Sequence, residues 1–583
     1  MNRKKLMLTM AGLMSLSVAL TACGGSSDSG SSGANNGDAP LDQTDSTLKH
    51  LKAESPDKVP EVAKNRKDTL IIGIQDNKGV FNPLYTNSAY DAEVCMSMFA
   101  DALNIAEDAS FEAGLCDMPK ISEDGKTFTF KLKDGVKWSD GEPITSDDME
   151  LYFKIVGDKS YLGNNDVSRA EIKGYKEFHE GTAKDISGIK KLDKQTIEIT
   201  VENVNAKTLA YIAPTPMPMQ YYGKVYTQGD LSKIEALHRE PKVTSGPYKF
   251  ISYKPGEEVD LEANENFYLG KPKTKNLIYK TVTPKTQMAQ LQAGEVDIIN
   301  PALNPESMEQ IKDLGFVDTL YYPYNGYSYI GINFLGNSKL KDLKVRQALM
   351  YAVDRQKYVD TMNGQYGEVL DTPLSKASWA YPKDGNFEKY EFNLDKSAKL
   401  FEEAGWKKNS AGKLEKDGEV FKIRFLQSTD SEGNTALIPI IKSGFESLGI
   451  EFVADQFDFN TVSDKLKKAK TQDDFGNFDM WSMGWQLIPE PDPTDIFGTT
   501  GVQNRAGYSN PQLDELMKKE FNEIDKEKRK PIFKELAEGL NKDLPYLFLN
   551  QRMNCYVTSS RVKGFKDSNY KRYYMYLHEF SLE

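Results

Sequence analysis

The sequence predicts an α/β protein of more than one domain. Three observations carry that reading. Strand-like runs such as Thr69–Ile74, Lys126–Leu132 and Tyr329–Phe334 alternate with amphipathic helical segments along the chain, as in an α/β fold. The stretch Phe478–Trp485 is largely apolar on both of its faces, which suits a strand buried inside such a sheet. From Thr69 onward the chain has roughly 515 residues, more than one core holds, so two or three domains are expected.

The N-terminus reads as an address. Arg3, Lys4 and Lys5 make a positive region, and Leu6–Leu20 is an apolar run of 15 residues, short of the about 20 that a membrane span needs. It ends in Leu20-Thr21-Ala22-Cys23. That is the lipobox pattern, in which small residues admit a signal peptidase and the cysteine sulfur takes a diacylglycerol. Residues 1–22 are therefore expected to be a lipoprotein signal and Cys23 the lipidated mature N-terminus. The lipid holds the protein on the extracytoplasmic side of the cell membrane. Residues 23–67, rich in Gly, Ser, Asn and Asp and then in charge, read as a flexible tether.

Thr69–Ile74 is a buried first strand, with Phe81-Asn82-Pro83-Leu84-Tyr85 in the turn after it. Lys126–Leu132 alternates with period two, as a half-buried strand does. Thr145 caps a helix with Asp148 at the capping-box position, and Met149, Phe153 and Val156 continue its apolar spacing. A helix starts at Thr283-Pro284, where proline is tolerated, and stops at Gly294; Glu295–Ile299 then returns as a strand. Val345, Leu349, Ala352 and Val353 share one helix stripe. Asn393 caps a helix that ends at Gly405-Trp406. Pro489-Glu490-Pro491-Asp492-Pro493 ends the strand begun at Phe478, because no strand interior holds that much proline. Asn510-Pro511 caps a last pair of helices, the first burying Leu513, Leu516, Met517 and Phe521, and Pro545–Leu549 is a closing strand.

The run KTFTFKLKDGVKWSDGEPITSDDM, residues 126–149, resembles the signature of the extracytoplasmic solute-binding proteins of family 5, the peptide/nickel type. Thr244–Phe250 is similar to the family's TGPY segment. Pro255-Gly256-Glu257, Asn264–Pro272 and the Val345–Arg355 run "VRQAL…A.DR" follow in the family's order. The resemblance extends from about Thr69 to the C-terminus. It implies a periplasmic-binding-protein type II fold, with two α/β lobes, a hinge of two crossovers and an extra subdomain in lobe one. Lobe one is then expected at 68–89, 211–326 and 545–583, the inserted subdomain at 90–210 and lobe two at 327–544. The implied role is capture without catalysis, by a monomeric receptor that takes oligopeptides in its cleft. Its partners are the permease and ATPase subunits of an ABC importer, and it needs no cofactor. Relatives carry nickel chelates, haem, sugars or opines, so those ligands stay open beside peptides, as does a peptide-sensing role.

The candidate site is the exit of the Phe478 strand, because open α/β sheets place ligands beyond their strands' C-terminal ends. Trp485 and Gln486 sit there; the competing reading is a core tryptophan before a surface loop. In peptide-binding relatives the residues after the matching Gly-Trp lie along the ligand, and the third is an aspartate that meets its α-amino group. Here the third is Ile488. Glu490 and Asp492 are the acids that stand near enough to replace it, the alternative being solvent-facing turn residues. Asn82 and Tyr85 are candidates from the opposite lobe, or structural turn residues.

Other classes find little support. The formal charge of −12 becomes −15 once Arg3, Lys4 and Lys5 leave with the signal, the wrong sign for a nucleic-acid binder. His50, His179, His238 and His578 are too far apart in sequence for a metal-binding helix. There is no Cys-x-x-Cys pair, no phosphate loop and, in the globular part, no Gly-x-Ser-x-Gly elbow. A surface peptidase is thus disfavoured. With Cys23 lipidated, Cys95, Cys116 and Cys555 cannot all pair; a Cys95–Cys116 bridge and buried thiols are the two possibilities.

Overall fold

The computed structural model describes residues 48–86, 88–336, 338–429, 431–469, 471 and 477–583. The expected signal, Cys23 and the tether as far as residue 47 lie outside the described residues. From Leu48 on, the expected tether is part of the fold. β1 (Lys49–Leu51) pairs antiparallel with Val317–Pro323, Lys49 opposite Tyr321. Val59 and Ala63 are buried with Leu291, Val296 and Ile299. Arg561 donates to the carbonyls of Ala63, Arg66 and Thr69. Arg561 and Arg66 both meet the buried Asp297 carboxylate at 3.0 Å. Two cations on one buried acid need further acceptors, and this segment's backbone supplies them. Its few apolar residues concealed that role.

β2 (Thr69–Ile74) opens the first lobe and leads to α1 (Ala89–Met98). The chain then forms a hairpin, β3 (Leu103–Ile105) and β4 (Phe111–Ala113). A separate four-stranded sheet follows, made of β5 (Lys120–Ile121), β6 (Thr127–Lys131), β7 (Ile189–Lys191) and β8 (Thr196–Thr200) in the order β5-β6-β8-β7. α2 (Ser146–Val156) follows β6 in the chain and contacts β7 and β8. Asp148 closes the expected capping box by accepting the Thr145 N–H at 2.7 Å, and it also takes that of Met219 at 2.8 Å. Trp138, Phe130 and Phe153 give this unit a core of its own.

The first lobe resumes with β9 (Tyr248–Lys254), β10 (Glu258–Ala263), β11 (Asn276–Thr281), β12 (Ile298–Ile299) and β13 (Val317–Pro323). The helix expected from Pro284 begins only at Gln287. The hydroxyl of Thr286 takes the Thr283 N–H at 3.0 Å and holds a turn there instead. Of the strand expected over Glu295–Ile299, Ile298 and Ile299 remain.

Beyond Tyr324 and Asn325 comes the second lobe. It holds β14 (Gly326–Ile332), α3 (Leu343–Tyr351), α4 (Leu394–Glu403), β15 (Lys422–Ser428), α5 (Glu432–Ser447), β16 (Glu451–Phe457) and β17 (Met480–Gln486), then α6 (Pro511–Asn522) and α7 (Lys526–Asp543). Val345, Leu349, Ala352 and Val353 are all buried. Asn393 and Asn510 cap α4 and α6 as expected. The closing strand, β18 (Tyr546–Ser559), is far longer than expected at 14 residues. Its first half pairs with β14 and its second with β13 and β12. One sheet, ordered β16-β15-β17-β14-β18-β12-β2-β11-β10-β9, therefore runs through both lobes. β18 and the Tyr324-Asn325 link are the two crossings. Cys95, Cys116 and Cys555 are buried free thiols, so no Cys95–Cys116 bridge forms.

Candidate ligand-binding cleft

Beside the crossings, β17 lies antiparallel to β14 with Trp485 opposite Tyr327 and Gln486 opposite Gly326. Gly326 is required by this approach, since a Cβ there would stand 2.3 Å from the Trp485 carbonyl oxygen. Two hollows, of about 80 and 60 Å³, adjoin here and share Tyr327, Trp485 and Gln486. The indole N–H of Trp485, the hydroxyl of Tyr327 and the amide oxygen of Asn550 are buried in their walls without a protein partner. Buried polar groups are normally satisfied, so three unpartnered ones along one hollow are groups poised to meet a ligand.

The other edge of β17 matters as much. β15 pairs with it only at Met480 and Trp481. Among the described residues, Ser482–Gln486 have no strand on that side. Ser482, Met483, Gly484, Trp485 and Gln486 all line the first hollow.

The charges divide sharply between the two hollows. Glu490 and Asp492 line the second, and neither is free. The Lys207 ammonium meets Asp492 at 2.6 Å, both side chains being almost wholly buried, and the other Asp492 oxygen accepts the Thr494 N–H at 2.8 Å. Burial alone would raise the Asp492 carboxyl; Lys207 and the hydrogen bonds outweigh it and hold the group at about 2. Glu490 takes two bonds from the Arg529 guanidinium, which also reaches Glu520 at 2.6 Å. Burial first, and Asp492 next, push the Glu520 carboxyl up to about 9. Asp495, further along the loop, is gripped by Arg169 at 2.9 and 3.1 Å. Both acids thus line the hollow already neutralised by an internal cation, Asp492 almost wholly buried and Glu490 with 21% of its side chain exposed, so neither offers the unpaired carboxylate that the missing aspartate would supply. Among the described residues, the single charged one in the wall of the first hollow is Arg552. It stacks 4.4 Å from the Tyr324 ring, gives one N–H to the Met553 carbonyl and has no carboxylate partner among the described residues.

Asn82 and Tyr85 line neither hollow. Asn82 is fully buried and its side-chain oxygen accepts the Leu84 N–H at 3.0 Å, holding its own turn. Tyr85 packs between Tyr161 and His238, inside the core of the inserted unit. The turn thus packs against that unit, with the Asn82 amide nitrogen and the Tyr85 hydroxyl buried without a protein partner.

A family model for bacterial extracellular solute-binding proteins, family 5 middle, matches residues 110–507. The chain belongs to this family. It is 27% identical over 572 residues to the oligopeptide-binding protein AppA of Bacillus subtilis, covering 97% of this chain and 96% of that protein. The structure of AppA in complex with a nonapeptide superposes with a TM-score of 0.73 at 25% identity, over 89% of this chain and 99% of AppA. NikZ of Campylobacter jejuni in complex with Ni(L-His) gives 0.70 at 25% identity, over 88% and 99%. The heme-binding protein A of Haemophilus influenzae is 25% identical over 78% of this chain and 82% of its own. The architecture is thus the type II periplasmic-binding-protein fold. Family 5 proteins are binding receptors, not enzymes, and act outside the cytoplasm. No helix among the described residues is long and apolar enough to cross a membrane.

Sequence reasoning on this family 5 chain missed Lys207, Arg529, Tyr324 and Arg552. Lys207 carried a faint signal, a lone lysine opening the apolar run Thr208–Ile212. Arg529 carried none, because its partner Glu490 is 39 positions away.

Proposed function

We propose that this family 5 receptor captures oligopeptides and hands them to the permease of an ABC importer, held at the membrane by lipid on Cys23. The observation that carries the reading is the unpaired edge of Ser482–Gln486 beside Trp485. An extended peptide adds to such an edge through main-chain hydrogen bonds, which are indifferent to side chains. The likeness to AppA over nearly its full length supports the same ligand class. With Glu490, Asp492 and Asp495 all paired and Arg552 without an acid partner among the described residues, the cleft favours the carboxylate end of a peptide over its ammonium end. A guanidinium edge matches a carboxylate with two donors.

Calorimetry with one nonapeptide in free, N-acetylated and C-amidated forms tests this. Acetylation should weaken binding by less than tenfold, about 1.4 kcal/mol. Amidation should weaken it by more, and Arg552→Gln should abolish the difference. If no peptide form binds while Ni(L-His) or haem does, the peptide reading is wrong. Separately, an alkyne fatty acid fed to cells should label the wild-type chain and not Cys23→Ala; equal labelling would remove the lipid anchor.

A further inference from the structure

A second cavity, of about 500 Å³, shares no wall residue with the hollows around Trp485. That volume falls in the range of about 300–1,000 Å³ typical of small-molecule sites. Its walls are the C-terminal end of α1 with the β3/β4 hairpin, the segment between β10 and β11, and the C-terminal stretch from Lys571 to Glu579. The Lys273 N–H donates to the His578 carbonyl at 3.3 Å. That bond sets the cavity beside the start of β11, whereas ligands of α/β sheets bind past the strands' C-terminal ends.

The cavity wall includes the rings of Phe99, Phe267, Tyr268, Tyr574 and Tyr576. Set among them is the Asp101 carboxylate. One of its oxygens accepts the Thr215 hydroxyl, and the other has no protein partner. The residue is half-buried and lines the cavity. Burial raises it to about 6, which still leaves it mainly ionised at neutral pH. Lysines already lie against two of the rings, Lys133 at 5.3 Å from Tyr268 and Lys566 and Lys571 at 5.2 Å from Tyr576, the last two also paired with acids. Lys571 pairs with Glu112 at 2.5 Å and Lys566 with Glu579 at 2.7 Å. Burial holds His578 below its ordinary value, hence neutral. Asp101 is left as a half-buried anion with no cation paired to it among the described residues, which a protein keeps only at a cost. Ring faces attract cations and apolar bodies alike.

We propose that this cavity is a second ligand site, for a small organic monocation whose ammonium meets Asp101 and whose apolar body lies among the rings. The probe is benzyltrimethylammonium, with benzyl alcohol as its neutral comparison, added to the full chain and followed by calorimetry and saturation-transfer NMR. The cation should bind saturably, one per chain, and at least tenfold more tightly than the alcohol. Asp101→Asn keeps the acceptor for Thr215 and removes the charge; it should weaken cation binding at least tenfold. Ala113→Trp, which fills the cavity, should do the same, with thermal melting of both variants showing that they fold. Absence of saturable binding, equal binding of the alcohol, or equal binding by the two folded variants would each overturn the site.

Discussion

Beneath the proline loop, two cations meet three acids: Lys207 and Arg529 against Glu490, Asp492 and Glu520. The count leaves one negative charge over. Glu520, raised to about 9 by burial and by Asp492, keeps its proton at neutral pH and removes that excess. In the unfolded chain the same group ionises near its usual value of 4.5. The folded state therefore holds the extra proton between those two values, so stability falls as pH rises through that window. Glu520→Gln copies the protonated acid and escapes the loss. Melting temperatures of wild type and Glu520→Gln should coincide near pH 4 and separate in favour of the variant by pH 8. A gap that does not change with pH would mean that Glu520 is ionised in the fold. Asp492 works with the opposite sign. Its carboxyl is held below 3.8, so the stability it contributes is present above that pH and fades as pH falls toward 2.

At the scale of elements, β17 was legible as a strand and its partners were not. The two apolar faces of Phe478–Trp485 and the prolines after Ile488 fix its existence and its end. Which neighbour it has, and that one edge stays open beyond Trp481, depends on pairing with residues more than fifty positions away. The same limit hid the true length of β18, whose later half Cys555–Ser559 pairs with β12 and β13. It hid the role of residues 48–67 too, where Arg561 supplies the anchor from the other end of the chain. Capping residues were read correctly at Asn393 and Asn510, because a cap involves only its own first turn. The open edge makes a prediction about the ligand. A strand partner engages the sheet with every second backbone N–H. Scanning a bound nonapeptide with single N-methyl amides should therefore produce affinity losses that alternate with period two. A flat profile, or one that follows side-chain size, would rule out strand addition at β17.

For the whole molecule, the lobes are joined covalently on one side and meet through side chains on another. β18 and Tyr324-Asn325 make the covalent side. Opposite them, the inserted unit reaches the second lobe through Lys207–Asp492 and Arg169–Asp495. The Ala206 N–H also donates to the Phe521 carbonyl at 2.9 Å, and Lys526 reaches the Asp108 carbonyl at 2.8 Å. Any parting of the lobes about the crossings has to break these contacts. The two ion pairs are not equal. Arg169 and Asp495 are partly open to water, at 28% and 15% exposure, and such a pair contributes about 1 kcal/mol or less. Lys207 and Asp492 are at 3% and 2%, so removing the lysine alone strands a buried carboxylate at a cost of about 3–5 kcal/mol. That cost vanishes if the lobes part and water reaches Asp492. Lys207→Met should thus shift the ligand-free chain toward an open form, with a larger radius of gyration by small-angle scattering than wild type. The double variant Lys207→Met with Asp492→Asn should recover part of the compaction, and Arg169→Ala should change it little. A radius of gyration unmoved by Lys207→Met in a chain that still folds would mean that the Lys207–Asp492 pair does not set the balance between closed and open lobes.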